Sequence, residues 1–169
     1  MKGWIKDILI AGLIALAIMT FVKPTIVKES SMQPTLYANN YIFLSKQAYR
    51  FAEPKRGDII VFHTDLTTND GSEKLLIKRI IGLPGDTVTI AEGCVYINDE
   101  LLEEPYINGL VTTGYIERLE ISDRDVFVMG DNRDVSIDSR DNRVGCVALD
   151  MIVGKAFFRL YPFDMIGLL

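Results

Sequence analysis

Residues 8–22 run for 15 positions without a charge, while the 147 residues after them read as an ordinary soluble chain. A straight bilayer span wants about 20 apolar residues, so this run is short by itself. Adding Trp4 and Ile5 lengthens it, with Lys6 able to snorkel toward headgroups and Trp4 suited to the interface. A cleavable export signal has an apolar core of about 7–15 residues but needs a small-x-small site just beyond it. Here Ala15-x-Ala17 lies inside the run, and Lys23-Pro24-Thr25-Ile26 follows it. A retained membrane anchor over residues 1–22 is therefore expected. Lys2, Lys6 and the amino terminus, set against Lys23 and Lys28, lean slightly toward a cytoplasmic N-terminus.

Residues 23–169 are enough for one domain with its own core, without disulfides or metals. The net charge of −5 argues against a nucleic-acid partner, which would call for a basic face. Cys94 and Cys146, 52 positions apart, match no metal-ligand spacing. Two unpaired thiols are expected, since Cys94 sits in an apolar alternation where cysteine packs as a small hydrophobe. A disulfide would require an extracytoplasmic domain and two cysteines that meet.

Short apolar stretches alternate with turn signals, which predicts a mainly β domain. Strands are expected at 25–28, 41–44, 58–62, 75–81, 87–91, 94–97, 126–129 and 154–159. Breakers at 54–57, 83–86, 130–132 and Asn108-Gly109 separate them. Residues 98–123 are less patterned and read as an excursion from the main sheet. A short helix is expected near 149–152.

Three segments carry candidate chemistry. In Ser30-Ser31-Met32-Gln33-Pro34, a strand-like run ends at polar residues and Pro34 bends the chain, so a serine could present hydroxyl and N–H to one point. Alone this is no more than a Ser-rich turn. In Leu76-Ile77-Lys78-Arg79-Ile80, strand alternation places Lys78 with Leu76 and Ile80 on an apolar side. Lost hydration there disfavours the ammonium, as a lysine general base near neutral pH requires. The bland alternative is a packed stem whose amine reaches water. The single histidine, His63, reads as a strand-end residue before a polar loop at 64–71, leaving Lys78 as the better partner for a serine. Third, residues 130–140 are dense in Asp, Asn, Ser and Arg, as in a loop built on Asx turns and Arg–carboxylate forks. The loop lacks the alternating ligands and closing Glu of a calcium site.

Ser-Met-x-Pro-Thr-Leu (31–36), Arg-Gly-Asp-Ile-Ile-Val-Phe (56–62), Ile-Lys-Arg-Ile-Ile-Gly-Leu-Pro-Gly-Asp (77–86) and Gly-Asp-Asn-Arg-Asp-x-Ser-x-Asp-Ser-Arg (130–140) occur in that order. Together they resemble the bacterial type I signal peptidases, above all the short single-span Gram-positive form. The tail at 152–156 and 158–163 resembles them too. The resemblance implies a fold of twisted antiparallel sheets behind one transmembrane helix. It implies a Ser-Lys serine endopeptidase that cuts signal peptides from exported preproteins after small-x-small motifs. Ser31 would be the nucleophile, Lys78 the general base and Ser136 the hydroxyl that orients its amine. Asp131, Asp138 and Arg140 would be structural neighbours, and Met32, Leu36 and Ile77 would line the pocket for small side chains. The expected partners are signal peptides and the lipid bilayer of the plasma membrane, with the catalytic domain (23–169) on its outer face. No cofactor and no metal is implied.

Family members often carry Ser or Gly two residues before the nucleophile, whereas this chain has Glu29. A carboxylate cannot donate a hydrogen bond and repels developing negative charge. The Ser31 N–H is the expected oxyanion donor, with Ser30 a candidate for the second. Two other readings stand beside this one. A catalytically inactive, signal-peptidase-like assembly factor would be expected to lack the serine or the lysine. A Ser-Lys autoprotease that regulates transcription would carry a DNA-binding region in place of the anchor.

Overall fold

The computed structural model describes residues 3–68, 70–107 and 111–169. The Asn108-Gly109 turn, and Asn69 of the expected 64–71 loop, lie outside the described residues.

Helix α1, Gly3–Phe21, has 19 residues. At about 1.5 Å per residue that is close to the ~30 Å of a bilayer's hydrocarbon core. Its large apolar side chains, Trp4 and Ile8 among them, are exposed on all sides. Among the described residues α1 is the one helix long and apolar enough to cross a membrane. No linker separates it from the β domain, because strand β1 starts at the next residue (Val22–Ile26). The Lys46 N–H donates to the Phe21 carbonyl (2.9 Å), and Lys46 Nζ donates to that of Met19 (3.2 Å). A cation is thereby set at the negative end of the helix dipole.

The main sheet comprises β1, β2 (Tyr41–Ser45), β3 (Ile59–Thr67), β4 (Glu73–Gly82), β9 (Asp125–Met129), β10 (Val147–Ala148), β11 (Ile152–Tyr161) and β12 (Gly167–Leu168). Their order is β1-β2-β11-β3-β4-β9-β10, with β12 beside β11. A second sheet, order β7-β6-β5-β8, holds β5 (Thr87–Ala91), β6 (Cys94–Ile97), β7 (Glu100–Leu101) and β8 (Ile116–Glu120). All pairings are antiparallel in both. The mainly β architecture expected from turn spacing is thus the one observed.

Alternation in β3 and β4 divides their side chains between two cores. Ile59 and Val61 pack with Val27, Met32, Leu36, Ile42, Leu44 and Ala156. Ile60, Phe62, Leu76 and Ile80 pack with Val126, Val128 and Val147. A third core joins the two sheets through Ile81, Val88, Ile90, Ile121 and Phe127. Gly82 makes that junction possible, since a Cβ there would collide with Ile121.

Three expectations change. The excursion assigned to 98–123 begins earlier: the chain leaves the main sheet already before Thr87, and β7 and β8, from within that range, belong to the second sheet, where β8 pairs with β5. β3 runs on to Thr67, so His63 and Thr64 lie inside a strand and not at the mouth of a loop. Polar composition suggested a loop, but β4 supplies a partner ladder, and the Thr64 hydroxyl donates to the Lys74 carbonyl (2.6 Å). The turn is confined to residues after Thr67, where the Thr68 N–H donates to the Ser72 carbonyl (2.8 Å). The helix near 149–152 is a single 3-10 turn, Leu149–Met151.

β4 is the strand that matters for the site. β3 covers one edge from Arg79 back to Glu73, while β9 covers the other only from Arg79 onward. Residues 73–78 therefore present a backbone edge with no strand partner among the described residues.

Candidate active site

The nucleophile turn is held from both sides. Val27 exchanges backbone bonds with Asn39 and Asn40 (2.7 and 2.9 Å), with Asn39 in the left-handed region that asparagine tolerates. Beyond Ser31 the chain coils tightly, the Gln33 N–H bonding to the Ser30 carbonyl (3.1 Å) and the Leu36 N–H to that of Met32 (2.8 Å). Met32 and Leu36 are driven into the core, which fixes the turn at its base. Ser31 is left buried at 4% exposure.

Lys78 is 1% exposed, on the face of β4 that carries Leu76 and Ile80 and directly across the ladder from Ile60. Its Nζ lies 2.6 Å from Ser31 Oγ, across 47 residues of sequence. Burial drives the amine's pKa down to about 8, against the carboxylates of Asp138 and Glu29, which favour the ammonium; Lys74 and Arg140 oppose those two. Desolvation wins because a charge loses most of its hydration there. At neutral pH and above, an appreciable fraction of the amine is free to take the serine proton.

The 130–140 loop is stitched to the nucleophile. The Asn132 N–H donates to the Ser31 carbonyl (3.0 Å), and its side-chain amide to that of Ser30 (3.3 Å). Gly130 allows this approach, since a Cβ there would run into the Ser31 carbonyl oxygen and the Ser136 hydroxyl. Asp138 accepts from the Gly130 N–H (2.9 Å) and is forked by Arg140 (2.8 and 2.9 Å). Burial raises the Asp138 pKa, but the Arg140 guanidinium outweighs it and keeps the carboxylate ionised. Arg140 also donates to the Arg133 and Thr113 carbonyls (2.9 Å each).

Asp131 ties three segments together. Arg79, the residue after Lys78, forks onto it (2.8 and 2.7 Å), and the Thr35 hydroxyl of the nucleophile turn donates to it. The sequence singled out Asp131 but not Arg79, nor the buried Arg133–Glu104 pair that braces the same loop from residue 104. An arginine beside an apolar strand and an acid in an unpatterned segment carry no local sign of such pairing.

Ser136 Oγ is buried and near enough to Asp138 to help keep its carboxylate ionised, yet among the described residues no partner, Lys78 included, meets full hydrogen-bond geometry. Of the three residues expected at the pocket, Met32 and Leu36 are 0% exposed and Ile77 is half-buried against the same core. Ser30 is exposed. His63 points to solvent beside Glu73 (2.6 Å). Cys94 and Cys146 are unpaired, and burial pushes the Cys146 thiol up, so it stays protonated.

The family described as "Signal peptidase, peptidase S26" matches residues 1–161. A probable signal peptidase I-2 from Synechocystis is 39% identical over 166 residues, which is 97% of this chain and 75% of that protein. A signal peptidase I from Bacillus licheniformis is 37% identical over 175 residues, 96% of this chain and 90% of that one. The crystal structure of a signal peptidase I from Enterococcus faecalis covers 62% of this chain and 97% of its own at 30% identity, with a TM-score of 0.48.

Proposed function

The chain belongs to the signal peptidase family, peptidase S26, and from that premise we propose that it removes signal peptides with Ser31 as nucleophile and Lys78 as general base. The reading is carried by one observation: a lysine amine and a serine hydroxyl, both almost wholly buried, lie 2.6 Å apart.

The enzyme is a membrane-anchored serine endopeptidase that acts on the signal peptides of preproteins. In the proposed mechanism Lys78 Nζ takes the Ser31 proton as Oγ attacks the scissile carbonyl. The Ser31 N–H donates to the developing oxyanion, with Ser30 a candidate second donor. The Lys78 ammonium then protonates the leaving amine, and water activated by the recovered amine releases the acyl-enzyme. Ser136 orients the amine once substrate is bound. The substrate adds as an extended strand along the unpartnered edge of β4 at 73–78, beside the nucleophile segment. α1 anchors the enzyme in the lipid bilayer, and in this reading the catalytic domain lies on the outer face of the plasma membrane.

Full-length protein in detergent, incubated with a preprotein, is expected to cut once after a small-x-small motif, as read by mass spectrometry of the new N-terminus. Ser31→Ala and Lys78→Ala should each abolish cleavage while keeping the fold. Near-normal activity in either variant would overturn the assignment. Inactivity of the wild type would favour the assembly-factor reading.

A further inference from the structure

The nucleophile segment and the lysine strand meet at more than one pair of side chains. Besides Ser31 and Lys78, Glu29 Oε1 lies 2.6 Å from Lys74 Nζ. Glu29 stands two residues before Ser31, and Lys74 shares the face of β4 that carries Lys78. The side chains are 46% and 27% exposed, so the pair adds little to stability.

Its arrangement around the base is more telling. Four charged groups act on Lys78: Asp138 and Glu29 from one sign, Lys74 and Arg140 from the other. They are two closed pairs, Asp138 with Arg140 and Glu29 with Lys74. Each carboxylate near the reacting atoms has its own cation. An unanswered carboxylate at position 29 would oppose negative charge forming on a carbonyl at Ser31 and would hold Lys78 as ammonium.

We propose that Lys74 is a positioning residue for the cleavage reaction: by binding Glu29 it neutralises a carboxylate beside the place where the oxyanion forms. This rests on the assignment of Ser31 and Lys78 above.

The test compares the full chain with Lys74→Met, Lys74→Arg, Glu29→Gln and the Lys74→Met/Glu29→Gln double variant in detergent, on one preprotein. Lys74→Met should lower kcat about tenfold with KM little changed, as expected of an effect confined to the transition state. Lys74→Arg should stay near wild type. The double variant should recover most of the loss, because the offending carboxylate is gone. The acid limb of kcat/KM should move to higher pH in Lys74→Met and return in the double variant. A structural role for Lys74 gives no such recovery. Wild-type kcat in Lys74→Met, or a double variant as slow as Lys74→Met, overturns the proposal. Cleavage surviving in Lys78→Ala under the same conditions would instead overturn the dyad assignment, and this proposal with it.

Discussion

Arg79 forks onto Asp131 (2.8 and 2.7 Å) from the position next to Lys78, with its guanidinium 4.1 Å over the ring of Tyr106. Asp131 also accepts from Thr35, four residues after Ser31. One carboxylate thus joins the strand of the base, the turn of the nucleophile and the loop that brings Ser136.

Breaking that junction should be costly. Asp131→Ala leaves the mostly buried Arg79 uncompensated, and losing one partner of a buried pair costs about 3–5 kcal/mol. Urea unfolding is expected to show a loss of that order, with kcat reduced as the nucleophile turn loosens. A variant as stable as wild type would mean the junction is idle.

Lys78 links both activity and stability to pH, and both increase as pH rises. As the base it must be neutral, so kcat/KM should climb with pH to a midpoint near 8, the value to which burial lowers it. Its folded pKa lies below the unfolded value of 10.5. The unfolded chain therefore binds the extra proton, and stability rises with pH between about 8 and 10.5. Below about pH 8 the buried lysine costs its full amount, about 3 kcal/mol. Lys78→Met should be inactive yet more stable than wild type at pH 7, with the difference shrinking toward pH 10. Calorimetry at the two pH values decides this, and an equally large gap at both would contradict it.

Gly130→Ala introduces a methyl where Ser136 Oγ and the Ser31 carbonyl already stand. Overpacking of this kind costs about 1–3 kcal/mol. Because the displaced atoms belong to the site, cleavage should fall by about 100-fold or more, as small misplacements do. Unchanged turnover would show that the loop yields without moving Ser31.

Ser136→Ala removes a buried hydroxyl that meets full hydrogen-bond geometry with no partner among the described residues. Stability should change by less than about 1 kcal/mol, because no bond is lost. If the hydroxyl orients the amine during reaction, kcat should drop by about 10- to 100-fold with KM nearly constant. Unaltered kcat would remove Ser136 from the mechanism.

Local pattern made a good part of this protein legible. The uncharged run became α1, and the alternations at 87–91 and 94–97 became β5 and β6 with the same bounds. The apolar companions of Lys78 were readable for the same reason, since alternation along a strand decides a face without reference to the rest of the chain. Where polarity and partner disagreed, partner won: Thr64 and Asp65 look like loop but are strand because β4 lies beside them.

Pattern by itself therefore determined which residues turn inward, and so that Lys78 would lose its water. Only the tertiary structure decided what it would meet there. The contacts of Lys78 with Ser31, Arg79 with Asp131 and Glu29 with Lys74 join residues 45 to 52 positions apart. Such contacts depend on sheet order and register, which no single segment encodes. The same holds for Met32 and Leu36, whose neighbours in the core come from β2, β3 and β11.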